Sequence, residues 1–214
     1  MLLLTCASTP GSLPGGDPAY PFPVEEEYRL EPLSEAQRMI IAGGPTLVGT
    51  KALTVLGATY PNDCTGLVRA AHAFASIDLA YHFSRYSGNG VKRLYQTLKE
   101  EALLYSVLYP LPGDLIFWND TYDANGNGLA DDELTHVGVV MSVQPDGSIR
   151  YLHYNYRLGP VIDSMNLLRP DIASSDAEGT VNSLLRMKGS PEYSRTNAAQ
   201  LFRVFGKGYD LKTP

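Results

Sequence analysis

The sequence predicts a single α+β domain in which a helix beginning at Cys64 packs on a small antiparallel sheet. Three observations lead there. Apolar residues of the first half recur at helical spacing, as in Leu67, Val68, Ala71 and Ala75, whereas the second half holds short apolar runs of strand length. Pro145-Asp146-Gly147 joins two of those runs as a hairpin. Twenty Gly, 15 Pro and 14 Tyr among 214 residues suit a chain of many turns and much β-structure. That length buries one sizeable core more readily than two.

Residues 1–33 read as a lead and 34–214 as the domain. Met1-Leu2-Leu3-Leu4-Thr5-Cys6 resembles the end of a bacterial lipoprotein signal, which would make Cys6 a lipidated N-terminus and attach the chain to a membrane. The charged segment and full apolar run of such a signal are missing. Residues 7–24 are rich in Gly, Pro and Ser, as in a flexible tether or an ordinary frayed terminus. Ser34-Glu35-Ala36-Gln37 has the spacing of a capping box and opens a short helix that Gly43-Gly44 stops. Ala52–Leu56 reads as a strand, with a second extended piece running to Tyr60. Asn62 or Asp63 can cap the helix at Cys64, and a further helix is expected over Val91–Leu108. Strands follow at 114–118, 136–141 and 148–153, then a long loop with one short helix over 171–197 and a closing strand at 201–205.

A net charge of −6 with no basic cluster argues against nucleic acid and anionic membrane surfaces as partners. No run of about 18 apolar residues suggests a transmembrane helix. The two cysteines, Cys6 and Cys64, sit in segments of opposite character, and a disulfide between them is not expected.

Cys64 falls on a first helical turn, where unpaired N–H groups and the helix dipole favour a thiolate. Its own N–H faces the place where an oxyanion would develop, and Gly66 would let a substrate approach. A small buried packing residue is the plain alternative. His136 opens an apolar strand straight after a polar loop. The midpoint of 136 and 153 falls at Gln144-Pro145, which sets His153 beside His136 on the partner strand, able to fix its tautomer. Singly, each histidine reads as structural.

Three blocks in order, Asp63-Cys64-Thr65-Gly66-Leu67-Val68, Leu111-Pro112-Gly113-Asp114-Leu115-Ile116-Phe117 and Thr135-His136-Val137-Gly138-Val139-Val140, resemble the NlpC-type cell-wall cysteine peptidases and the related CHAP amidases. The resemblance implies a papain-like fold over about 34–168, with Cys64 as nucleophile, His136 as base and His153 as orienting residue. Asn155 is an alternative third member, and Tyr60 the nearest candidate for the family's oxyanion-supporting tyrosine. It further implies hydrolysis of an amide in the stem peptides of peptidoglycan by an exported protein of the periplasm or envelope. The chain is expected to act as a monomer, with no cofactor required. An acyltransferase of the same fold and a non-catalytic envelope lipoprotein that binds wall peptide are the competing readings.

Between the second and third blocks, Asp123, Asn125, Asn127, Asp131 and Glu133 alternate around glycines and resemble a calcium loop, although position twelve of that frame is Leu134. A structural calcium and a solvated acidic loop are the two readings. His72 and His82 read as packing or surface residues, and Trp118 as core.

Overall fold

The computed structural model describes residues 16–23, 26–187 and 195–212. Cys6 and the first part of the lead lie outside them. Within the described part of the lead, two residues are held on the domain by side-chain contacts. Asp17 is buried, accepts a hydrogen bond from Tyr95 Oη and pairs with Arg203, while Glu26 accepts from the N–H groups of Leu108 and Tyr109.

Local chemistry starts each helix where the sequence placed it. Ser34 Oγ accepts from Gln37 N–H and Gln37 Oε1 accepts from Ser34 N–H, which closes the capping box of α1 (Glu35–Gly43). A 3-10 turn over Gly44–Leu47 then leads to the hairpin of β1 (Leu53–Val55) and β2 (Ala58–Tyr60). Asp63 caps α2 (Cys64–Ala73), its Oδ1 accepting from Gly66 N–H at 2.7 Å. Asn89 caps α3 (Gly90–Glu100). This helix stops at Glu100, short of the expected Leu108. Ala102 takes a positive φ of 53°, Leu103 N–H bonds back to Leu98, and the chain straightens into β3 (Leu104–Tyr105), where Leu104 is buried.

The second half is built from strands, with β4 (Leu115–Trp118), β5 (His136–Val143), β6 (Ser148–Asn155) and β7 (Gly159–Asn166), the short pair β8 (Ser174–Ser175) and β9 (Gly179–Thr180), and β10 (Phe202–Gly206). Five of them join β3 in one antiparallel sheet of order β3-β10-β4-β5-β6-β7. The closing strand therefore slots between β3 and β4. Strand β7 is an addition to the expected set, and no helix occurs among the described residues of 171–197.

Both faces of the sheet are covered. On one, α1, α2 and α3 bury Leu67, Val68, Leu94 and Leu98 against Leu115, Val137, Val139 and Leu152. On the other, Trp118, Val140, Tyr151, Met165 and Phe205 pack with Leu185, Ala198 and Leu201 from the C-terminal segments. The domain is thus α+β, with a helix that begins at a cysteine laid on an antiparallel sheet.

Candidate active site

Gly66 holds the start of α2 in place. A Cβ there would come within 1.9 Å of the Pro61 carbonyl oxygen, so the glycine serves the tight turn into the helix and not, as expected, the approach of a substrate. With the turn fixed, the half-buried Cys64 stands on the rim of a cleft of about 380 Å³ that it shares with His136, His153 and Asn155. Its surroundings reverse the expected effect of the helix terminus. Burial, with the nearby Asp63 carboxylate, pushes the thiol up to about 11, against the opposing pull of the Val137 N–H and of Thr65. Cys64 rests as a thiol at neutral pH.

Strand pairing places the histidines. Trp118 pairs with His136 across β4 and β5, and Gly138, two residues on, pairs with His153. A side chain at 138 would collide with the Trp118 ring and the Leu152 carbonyl, and the glycine leaves that indole room to lie tilted on His136 at 5.7 Å between ring centroids. Trp118 itself is fully buried and donates its indole N–H to Ala198 O, as a core residue. His136 and His153 therefore share one face of the sheet, one diagonal step apart and not directly opposite as expected. Their rings meet edge-on, with 3.0 Å between His136 Nε2 and His153 Nδ1. Burial, followed by the influence of His153, holds His136 well below the usual imidazole range.

Cys64 and His136 line the same cleft, and a thiol with a neutral imidazole is the combination that general-base chemistry needs. Its third member by contact is His153. Asn155 lines the cleft, but its Oδ1 is occupied by the N–H groups of Arg157 and Leu158 in the β6–β7 turn. Tyr60 is not among the cleft-lining residues; it packs against the helix-side core with the Arg69 guanidinium 5.5 Å from its ring centroid. Tyr122, Tyr154 and Tyr156 line the cleft, and Tyr122 is close enough to Cys64 for the two to interact electrostatically.

The loop 123–133 is tied by its own hydrogen bonds. Asp123 accepts from the N–H groups of Gly126 and Gly128, Asp131 from the Asn125 and Asn127 amides, and Glu133 lies 3.7 Å from Arg203. No group of three or more His, Cys, Asp or Glu side chains that could hold a metal ion occurs among the described residues. His72 is fully buried with Nδ1 on Val68 O, and His82 stacks against Tyr81, both away from the cleft.

Residues that sequence reasoning missed come from beyond 155. Asp163 on β7 lies 3.0 Å from His153 Nε2, and Leu184 to Met187 form one wall of the cleft. The turn residues up to Gly159 and the run Val161-Ile162 were the available signal for β7.

Residues 55–155 match the family model of the CHAP domain. No curated protein and no solved structure matches the chain. Of the two related families that the motifs resemble, the matching one is CHAP. The match takes in Cys64, His136, His153 and Asn155 and ends before β7.

Proposed function

We propose, from the match of residues 55–155 to the CHAP domain model, that this protein is a CHAP-type peptidoglycan hydrolase that cleaves an amide bond of stem peptides through a thioester on Cys64. The observation that carries this reading is the 3.0 Å contact between His136 and His153 in a cleft that also holds Cys64 at a helix N-terminus.

In the proposed reaction His136 takes the proton of the Cys64 thiol as sulfur attacks the carbonyl carbon. The oxyanion is received by backbone N–H groups at the start of α2. His136 then passes its proton to the leaving amine as the C–N bond breaks. Water, deprotonated by the same imidazole, opens the thioester, and the released thiol regains a proton. Thiol and imidazole supply every transfer in this scheme. His153 orients His136 throughout. Action on the wall places the protein in the periplasm or envelope, where a lipid on Cys6 would hold it at the membrane.

The test is release of soluble muropeptides from purified sacculi, with products identified by mass, by the wild type and by Cys64→Ala. The reading expects new amine and carboxyl ends from the wild type and none from the variant. Equal release by both proteins would overturn it.

A further inference from the structure

Strand β7 lies outside the CHAP match, yet it reaches the site. His136, His153 and Asp163 occupy three adjacent strands on one face of the sheet. His153 pairs with Gly138 and Val161, and Asp163 pairs with Tyr151, so each step from one strand to the next is the same two-residue diagonal. The contacts run without a gap. His136 Nε2 lies 3.0 Å from His153 Nδ1, and His153 Nε2 lies 3.0 Å from Asp163 Oδ2. His153 is almost fully buried, while the Asp163 side chain is 30% exposed.

We propose that Asp163 is a positioning residue that fixes the tautomer of His153 and, through it, that of His136. This rests on His136 acting as the base of the reaction proposed above. A carboxylate only accepts hydrogen bonds, so the proton of a neutral His153 is held on Nε2. Nδ1 of that ring is then an acceptor, and His136 must donate to it from its own Nε2–H. The one nitrogen of His136 left with a lone pair is Nδ1, and that nitrogen takes the thiol proton. Without the carboxylate the two rings can settle in the opposite arrangement, with His136 protonated on Nδ1 and unable to act as base. A neutral imidazole as third member also brings no charge, and Asp163 supplies one behind it when His136 becomes imidazolium.

The surroundings keep Asp163 ionised. Burial works to raise its carboxyl, but the hydrogen bond from His153, the Ser183 hydroxyl and the Arg150 guanidinium hold it below the usual range. Ser183 comes from the segment that walls the cleft and is fixed in turn by Ser164 N–H at 3.1 Å. The other titratable groups around the two rings are Cys64 at the start of α2 and its cap Asp63, Tyr122, Tyr154, Tyr156 and Arg186 on the cleft wall, and Tyr151 on β6.

The test compares the full chain with Asp163→Asn and Asp163→Glu by muropeptide kinetics and by ¹⁵N imidazole spectra. For Asp163→Asn the expected result is a kcat lower by roughly 10- to 100-fold at nearly unchanged KM. The acid limb of the rate profile should also move to lower pH, because the imidazolium has lost its counter-charge. Asp163→Glu should restore most of the rate. In the wild type His153 should carry its proton on Nε2, a readout that needs no activity and so separates this inference from the reading of the site as a hydrolase. A wild-type His153 protonated on Nδ1 overturns the proposal, even if Asp163→Asn does not fold. So does an Asp163→Asn protein with unchanged rate and pH profile.

Discussion

Gly138, and not His136, stands opposite His153; His136 reaches His153 along the diagonal, with Nε2 3.0 Å from Nδ1. That contact is the ground on which we propose His153, and not Asn155, as the third member. Replacing His153 by Ala should lower kcat by on the order of 10²–10³, since the base loses the group that sets its tautomer. Asn155→Ala removes a turn acceptor and should cost no more than about tenfold in the same muropeptide assay. The reverse ranking would make Asn155 the orienting residue.

The acid limb of activity should lie below the ordinary histidine range. The proposed base is neutral His136, and burial together with His153 lowers its pKa, so it stays deprotonated as pH falls past the value of a free imidazole, about 6.5. The pH dependence of kcat/KM on a soluble muropeptide checks this, and a limb above that range would contradict it.

Iodoacetamide should alkylate the resting enzyme slowly at neutral pH. Burial holds Cys64 as a thiol, with a pKa raised to about 11, and the alkylation rate should climb steadily on the alkaline side. A fast plateau near pH 7 would instead indicate a preformed thiolate.

The helix starts and the nucleophile block were legible in sequence because they are local. Ser34, Asp63 and Asn89 each cap a helix through a bond to a backbone N–H three residues on. The His136–His153 contact was legible as a hairpin pairing, but its diagonal was not. The irregularity between Val140 and Ser142 and the turn closed by Gly147 shift the register from a simple midpoint count. The end of α3 was missed because Tyr105, in helical register with Leu98, is paired instead with Phe205 of β10 at the sheet edge. Asp163 was out of reach for a related reason. Its strand alternates weakly, its side chain is polar, and only sheet order brings it beside His153. The thiol's raised pKa likewise depends on tertiary burial, which outweighs a helix end that sequence can show.

His72 should make the fold acid-sensitive. It is fully buried, its Nε2 has no hydrogen-bond partner among the described residues, and burial lowers its pKa to about 4. The unfolded chain therefore binds this proton first as pH falls, and stability is lost from about pH 6.5 down to the folded value, by roughly 3 kcal/mol in all. Urea midpoints of the wild type and His72→Leu between pH 7 and 4 check this. The variant should lose less over that window, and parallel curves would remove His72 as the cause.

Gly66→Ala should destabilise the domain by about 1–3 kcal/mol, the usual cost of an overpacked site, because its Cβ would meet the Pro61 carbonyl. Thermal melting reads the loss, and an unchanged Tm would mean that the turn before α2 yields freely.

Every step of the proposed reaction depends on Cys64 as the nucleophile. Rapid quenching of the enzyme with a soluble muropeptide, followed by mass analysis of the peptide that carries Cys64, tests this directly. The predicted result is an acyl group on Cys64 in the wild type, lost on treatment with hydroxylamine, and no product from Cys64→Ala. Hydrolysis by Cys64→Ala at the wild-type rate, with no acyl group on the wild-type thiol, would contradict it.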